Sequence, residues 1–263
     1  MKLGVIGLGN MGSAILLGVL KKGLVKAVDV YVYDVDEKKR QAFSQCHITS
    51  NCRDLASQVD VLLLAIKPHI YPEVIDEIKH VIKADCLILD IAASVSLDNL
   101  NTYFGRQVQA CRIMPNTPCL IGKGMSGIVL GQTCTHQQKE FVCEMFKSVG
   151  EIALIKENQI NAVSSVCGAS PAYIYMMIEA MAQGAIMQGI SSEDAYRMAS
   201  LACEGAACMV LETKQHPAKL RDAVCSPGGT TIEAVAKLEE CGFKSAIIEA
   251  MRACEQKANN MAK

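Results

Sequence analysis

The sequence predicts an α/β fold in two parts, a doubly wound and mostly parallel sheet followed by an all-helical C-terminal domain. Up to about residue 155, short apolar segments alternate with helical ones, and a glycine-rich turn follows the first of them. After about residue 157 the strand pattern stops. Apolar runs separated by helices are typical of a parallel sheet covered on both faces. We therefore place one domain at residues 1–158 and a second at residues 159–263.

The first domain is predicted to contain seven strands, each a short apolar run. They cover residues 3–6, 28–33, 61–66, 86–91, 108–114, 126–130 and 149–155. Helices are predicted from residue 13, over 37–45 and over 74–82, between these runs.

The second domain is predicted to be helical throughout. Pro171 suits the first turn of a helix that runs to Gln188 and stops at Gly189. This helix is apolar nearly all round, so it needs cover on several sides. Residues 191–194 read as the capping box of the next helix. The last helix carries an apolar seam that fits another helix, either of this chain or of a second subunit: Ile247, Met251, Cys254, Ala258 and Met261.

Composition narrows the function classes. The net charge of −1 predicts neither a nucleic-acid nor a membrane-surface partner. The 13 cysteines form no C-x-x-C pair and no ligand cluster, which favours reduced thiols in a cytoplasmic protein and predicts no metal. The first strand begins directly at the N-terminus, so we expect no signal peptide. The longest apolar stretch, 171–190, contains Glu179 and two glutamines and reads as a buried helix.

A G-x-G-x-x-G pattern lies between the first strand and the first helix: Gly7, Leu8, Gly9, Asn10, Met11 and Gly12. The first glycine permits the turn, the second lets a pyrophosphate approach the backbone, and the third allows close helix packing. The helix N-terminus offers N–H groups to phosphate. Asp34, at the tip of the second strand, is the expected ribose ligand. This context predicts dinucleotide binding; a glycine-rich turn in another α/β domain is the alternative.

Two further segments leave predicted strands at the edge where ligands bind in such sheets. One consists of Ala65, Ile66, Lys67 and Pro68. Lys67 either lies near the cofactor or is a solvated charge. In the other, two prolines bracket Asn116, whose amide either orients a nicotinamide or substrate or caps a turn.

The most distinctive segment of the helical half includes Ser226, Gly228, Gly229, Thr230 and Thr231. Thr230 and Glu233 fit a capping box, which places a helix start at about Thr231. The glycine amides and the first helical N–H groups can then converge on an anion. An ordinary helix start is the alternative.

Taken together, these segments resemble the Δ1-pyrroline-5-carboxylate reductase family. The resemblance rests on five segments, in order along the whole chain: 6–12, 65–68, 114–118, 168–173 and 225–234. It implies a Rossmann domain followed by helical domains that intertwine into a homodimer, with dimers often assembled into rings. It also implies the final step of proline biosynthesis, in which NADPH or NADH reduces a cyclic imino acid to L-proline.

The resemblance also implies roles for particular residues. The loop 226–231 would bind the substrate carboxylate, and Thr231 would act near the imine nitrogen. We group Asn116 and Ser170 with the substrate-binding residues. The segment 65–68 would line the cofactor together with the glycine turn, Asp34 and Asn116. No metal is implied.

Two departures from the family pattern matter. Many members prefer NADPH, whereas the Asp34 carboxylate suits a free 2′-hydroxyl and repels a phosphate. Residues 38–40, two lysines and an arginine, are either compensating charges or a solvated face. The family's Ala-Ala-Gly is Ala92, Ala93 and Ser94 here.

Two other functions compete with this one. Dehydrogenases of the 3-hydroxyacid type carry a catalytic lysine that segment 168–173 lacks. A protein that binds the cofactor without turnover is the second alternative.

Overall fold

The computed structural model describes residues 1–261 of the chain. Its first part is an eight-stranded sheet: β1 (Leu3–Ile6), β2 (Val30–Tyr33), β3 (His47–Ile48), β4 (Val61–Leu64), β5 (Leu87–Asp90), β6 (Gln109–Met114), β7 (Gly124–Leu130) and β8 (Gly150–Leu154). All seven predicted strands are confirmed. The two-residue β3 was not predicted, because two residues are too few to show a period. The second strand starts later than predicted, since Ala27–Asp29 form a 3₁₀ turn.

The helices of the sheet region are α1 (Asn10–Lys21), α2 (Glu37–Gln41), α3 (Cys52–Gln58), α4 (Tyr71–Ile78), α5 (Leu97–Phe104), α6 (His136–Lys147) and α7 (Ile160–Val163). A π-helical segment, Ser164–Gly168, follows directly. The remaining helices are α8 (Ser170–Met187), α9 (Ser192–Thr213), α10 (Pro217–Ala223), α11 (Thr230–Glu240) and α12 (Phe243–Met261). Gly189 has φ +93° after α8, and the Ser191 side chain accepts a hydrogen bond from the Asp194 N–H, so both predicted helix boundaries are confirmed.

The strands are ordered β3-β2-β1-β4-β5-β6-β7-β8, and every neighbouring pair is parallel except β6 and β7. Side chains alternate between two cores. Val5, Leu63 and Leu89 point into the core formed with α1 and α6, whereas Leu62, Leu64 and Ile88 face α3, α4 and α5. The strand order reverses at β1: β2 and β3 lie on one side of it, and the chain then returns to place β4 and β5 on the other side. The carboxyl ends of the parallel strands β1 and β4 therefore form the crevice at which a doubly wound sheet binds its ligand.

The chain forms two compact units. One contains residues 1–169 together with the chain end from Cys254, and the other is Ser170–Ala253. The predicted domain limit after residue 158 stays a prediction. In the second unit, α8 packs closely on α9 through Ala182, Ala195 and Ala199.

Helix α8 is mostly apolar and was predicted to need cover on several sides. Several of its apolar side chains are exposed in the single chain: Ile174, Tyr175, Met176, Met181 and Met187. The first four residues of the seam on α12, from Ile247 to Ala258, are half-buried, and the side chain of the fifth, Met261, lies outside the described structure. Within residues 1–261, no helix is long and apolar enough to cross a membrane.

Candidate active site

The glycine turn between β1 and α1 has the geometry of a phosphate-binding loop. Gly7 has φ +99°, and a Cβ atom there would collide with the Ala65 carbonyl oxygen. A Cβ atom on Gly12 would collide with the Gly7 carbonyl oxygen. A Cβ atom on Gly9 would meet no atom of the described chain within 4 Å. The predicted steric roles of Gly7 and Gly12 are confirmed, because these two glycines permit the turn and its packing. The role of Gly9 towards a pyrophosphate stays a prediction.

The Asp34 carboxylate is fixed beside this turn. One of its oxygens accepts the Leu8 N–H at 2.7 Å, and the other accepts the Asp36 N–H at 2.9 Å. The side chain is only 9% exposed. Each carboxylate oxygen accepts one backbone hydrogen bond and so retains a lone pair for a ribose hydroxyl.

The residues that follow Asp34 separate into two kinds. Lys38 and Lys39 are exposed on α2, as a solvated face would be. Arg40 is half-buried, and its guanidinium lies over the Tyr33 ring, 5.8 Å from the centroid.

The segment 65–68 leaves β4 next to the glycine turn. The Ala65 N–H donates to the Ile6 carbonyl at 2.8 Å, which continues the β1–β4 pairing by one residue. Ala65 and Ile66 are half-buried and Lys67 is exposed. Pro68 opens a 3₁₀ turn that leads into α4. The structure thus places this segment at the same sheet edge as the glycine turn and Asp34.

Asn116 has a structural role that differs from both predicted roles, orienting a ligand and capping a turn. Its amide oxygen accepts the Met125 N–H at 2.9 Å, and its amide nitrogen donates to the Cys167 carbonyl at 3.0 Å. The side chain therefore ties the loop after β6 to β7 and to the π-helical segment. It makes no side-chain cap on the described turn Thr117–Ile121, so the turn-capping alternative is wrong. Its contact with a ligand stays a prediction.

The glycine–threonine loop of the second unit differs from its predicted form. The helix α11 starts at Thr230 and has Gly229 as its N-cap, so the predicted capping box of Thr230 and Glu233 is wrong. The reason lies in the preceding turn. Gly228 takes a left-handed conformation with φ +68°, and the Gly229 N–H donates to the Ser226 carbonyl. Because of this turn, the helix begins at Thr230, one residue before the predicted start at Thr231.

The corrected helix start strengthens the anion hypothesis. In the described structure, no side chain accepts a hydrogen bond from the first N–H groups of α11. These donors need an acceptor, and a carboxylate at a helix N-terminus provides one. Thr231 is half-buried at this helix start, and Ser170 begins α8 in the same unit. The roles of both residues stay predictions.

A buried polar cluster that was not predicted from the sequence lies beneath the same sheet edge. Asp90, at the carboxyl end of β5, is fully buried and receives a hydrogen bond from the Tyr71 hydroxyl at 2.5 Å. Burial raises the pKa of Asp90 to about 6, although Tyr71, the Ala92 N–H and Arg112 oppose the rise. The sequence does contain a signal, since an aspartate inside an apolar strand needs a buried partner.

The residues described, 1–261, contain no group of three or more histidine, cysteine, aspartate or glutamate side chains arranged to hold a metal ion.

Two family models match the chain. Residues 2–94 match the model described as NADP oxidoreductase coenzyme F420-dependent, and residues 157–261 match pyrroline-5-carboxylate reductase dimerisation.

Similar proteins match from end to end. The chain is 41% identical to the pyrroline-5-carboxylate reductase of Escherichia coli (strain K12), over 100% of this chain and 98% of that one. It is 31% identical to the enzyme of that name from Pisum sativum, over 98% and 95% of the two chains. Among solved structures, the pyrroline-5-carboxylate reductase of Coxiella burnetii matches with a TM-score of 0.93 and 30% identity, over 100% and 98%. The pyrroline carboxylate reductase of Plasmodium falciparum with NADP bound matches with a TM-score of 0.92 and 29% identity, over 100% and 98%.

Proposed function

The chain belongs to the pyrroline-5-carboxylate reductase family, and from that premise we propose that it reduces 1-pyrroline-5-carboxylate to L-proline with NADPH or NADH. This reaction is the final step of proline biosynthesis. One observation carries the proposal: the similarity extends over the whole chain. The chain therefore includes both the glycine turn for a dinucleotide and the glycine–threonine loop for a carboxylate.

The residues of the sheet edge fit a dinucleotide. The open space over Gly9 would admit a pyrophosphate, and the N–H groups at the start of α1 would donate to its phosphates. Asp34 would hold the adenosine ribose, and the segment 65–68 would line the remainder of the cofactor. When bound, the reduced nicotinamide supplies the hydride.

The chain's own contribution to the chemistry is positioning. The free N–H groups of α11, with Ser226 and Thr230, would hold the substrate carboxylate. Thr231 would hydrogen-bond the ring nitrogen. The hydride adds to the imine carbon, the C=N π electrons move to nitrogen, and the nitrogen keeps the proton that makes it an amine. A cyclic imine is basic enough to be protonated in water, so alignment of the reacting atoms at roughly 3–3.5 Å carries most of the catalysis.

Asp34 bears on the choice between the two cofactors. Its carboxylate is fixed by two backbone N–H groups and cannot turn away from a 2′-phosphate without losing them. We therefore propose that NADH is used well. If NADPH also binds, Arg40, whose guanidinium lies over the Tyr33 ring, is the candidate to pair with its 2′-phosphate.

The match to the dimerisation model means that the helical half is a self-association domain. We propose a cytoplasmic homodimer, with dimers assembled into a ring. The exposed apolar side chains of α8 support a partner on that helix.

The test is oxidation of NADH and NADPH by the purified chain with 1-pyrroline-5-carboxylate, with a 3-oxoacid in parallel. We expect turnover with the imine alone. Turnover with the 3-oxoacid would indicate a dehydrogenase of the 3-hydroxyacid type. Cofactor binding without oxidation by either substrate would indicate a binding protein.

A further inference from the structure

We propose that Asp90, Tyr71 and Arg112 form a buried positioning cluster that holds the loop between β5 and α5 in place under the nicotinamide half of the cofactor. The inference rests on the proposed function, because it assumes that a nicotinamide dinucleotide binds at this sheet edge. The three residues are positioning residues, since each is at least 96% buried and their effect must pass through the loop.

The cluster centres on Asp90. One carboxylate oxygen accepts the Tyr71 hydroxyl at 2.5 Å and the Ala92 N–H at 2.9 Å. The other oxygen lies 3.7 Å from Nε of Arg112. Among the described residues, that oxygen and that nitrogen have no hydrogen-bond partner. A buried charge pair held this way is costly to break from either side.

Arg112 extends the cluster to both ends of the loop. Its guanidinium donates to the Ala93 carbonyl at 3.1 Å and to the Glu157 carboxylate at 3.0 Å. The same Glu157 oxygen accepts the Leu97 N–H at 2.9 Å, at the first residue of α5. The loop is thus fixed at residue 92, at residue 93 and where it joins the helix.

The outer surface of this loop remains available to a ligand. Ala93 is exposed and Ser94 is half-buried, although the Ala93 carbonyl is held from below. Both residues line a cavity of about 230 Å³, to which Ser164 and Lys257 also contribute. The underside of the loop is therefore held by hydrogen bonds, and its upper side faces this cavity.

The sheet order assigns this loop to the nicotinamide half. The phosphate turn follows β1, and Asp34 at the tip of β2 belongs to the adenosine half. A dinucleotide that crosses the crevice places its other half over β4 and β5. The loop 91–96 leaves β5 at that edge.

The cluster makes a pH effect measurable. The charged or titratable groups that face Asp90 are Tyr71 from α4, Arg112 from β6 and Glu157 after β8. Burial raises the pKa of Asp90 to about 6, so acidification through that range neutralises the carboxylate and removes its attraction for Arg112. Nicotinamide binding should weaken as the pH falls through about 6.

The experiment compares two ligands that differ at the nicotinamide, NADH and ADP-ribose, by measuring their Kd without substrate. Asp90→Asn should raise the Kd for NADH about fivefold at pH 7.5. In this variant the Kd should no longer increase as the pH falls through about 6. The Kd for ADP-ribose should not change, because this ligand lacks the nicotinamide ring that would rest on the loop 91–96. If Asp90→Asn fails to fold, Tyr71→Phe removes a single hydroxyl and should raise the Kd for NADH about twofold without changing that for ADP-ribose. The rise at acid pH should persist in this variant, because Asp90 still titrates.

Asp60→Asn is the matched control. Asp60 precedes β4 at the opposite edge of the sheet, where its carboxylate pairs with Lys83 and accepts the Lys2 N–H at 2.8 Å. This variant should leave both Kd values unchanged. Equal weakening of NADH and ADP-ribose in Asp90→Asn, or an NADH Kd and pH dependence identical to the unaltered chain, would overturn the positioning role. Binding that follows the predicted pattern in a chain that reduces no imine would refute the proposed function and leave this inference standing.

Discussion

The two glycine-rich helix starts, Gly7–Gly12 and Gly228–Thr231, share one backbone arrangement but differ in their surroundings. Each helix has a glycine N-cap, Gly9 or Gly229, and across the described chain no side chain caps either one. Each follows a glycine with positive φ, +99° at Gly7 and +68° at Gly228. Both starts therefore leave backbone N–H groups for an anion.

The difference lies in what supports each start. Gly7 and Gly12 are buried, and Ala65, directly after β4, packs against both. Gly228 is exposed, and a Cβ atom there would meet no atom of the described chain within 4 Å. The first start is built into a core, whereas the second is an exposed turn whose conformation is set locally. Substitutions at the buried Gly7 and Gly12 of the first start should therefore damage the fold, whereas substitutions at the second start should cost little stability and mainly damage the function.

The largest effect is expected for Gly12→Ala. The new methyl group collides with backbone at Gly7, which cannot move without shifting β1, so we expect a loss of about 3 kcal/mol in the free energy of unfolding. Chemical denaturation measures this loss. Gly9→Ala is the matched control: its methyl group lies in open space, so stability should hold while the Kd for NADH rises at least tenfold. Comparable stability losses in both variants would contradict the steric roles.

Thr231→Ala should lower kcat about 10- to 100-fold without unfolding the protein. Thr231 is half-buried and its hydroxyl is the candidate hydrogen-bond partner of the protonated ring nitrogen, and a hydrogen bond to a charged group contributes about 1.5–3 kcal/mol. Steady-state kinetics and circular dichroism measure the two expectations. Thr231→Ser keeps the hydroxyl and should restore most of the turnover. Unchanged kinetics in the alanine variant would refute the role of Thr231.

Asp34→Ser tests which cofactor the chain prefers. It should raise the kcat/KM for NADPH, relative to that for NADH, about tenfold. The substitution removes the charge that repels a 2′-phosphate and leaves a shorter, neutral hydroxyl group. The measurement is the ratio of kcat/KM for NADPH to that for NADH. Because the Leu8 N–H also loses its acceptor, some loss with both cofactors is expected. A ratio equal to that of the unaltered chain would show that Asp34 does not determine the choice.

The smallest effect is expected for Gly228→Ala. A left-handed conformation costs alanine about 1 kcal/mol, and the open surroundings add no collision. Stability should fall by that amount at most, while the KM for the imine rises several-fold because the turn that presents the helix N–H groups is strained. If the KM does not change, the loop does not hold the substrate carboxylate.

Most of the fold could be predicted because it is encoded locally. The seven longer strands are apolar runs, and Gly189 and Ser191 mark helix ends by residue type alone. The two-residue β3 could not be predicted, since its pairing with β2 depends on neighbours distant in sequence. The capping box at Thr230 was predicted wrongly because its residue types fit, while the turn at Gly228 decides where the helix begins.

The candidate site was predictable only in its backbone parts. Glycine patterns report steric requirements directly, so the turn at Gly7 could be placed from the sequence. Side-chain partnerships across the fold could not be placed. Asn116 joins residues 9 and 51 positions away, and Asp90 meets Arg112 only because β5 and β6 pair in one register. Such contacts depend on the completed sheet.

The most direct test of the central claim is transfer of the label from NADH deuterated at the reactive C4 position. We predict that 1-pyrroline-5-carboxylate yields L-proline with one deuterium at the former imine carbon, in a 1:1 ratio to NADH consumed, as mass spectrometry would show. Consumption of NADH without labelled proline, or no consumption by a folded chain that binds the cofactor, would contradict the account.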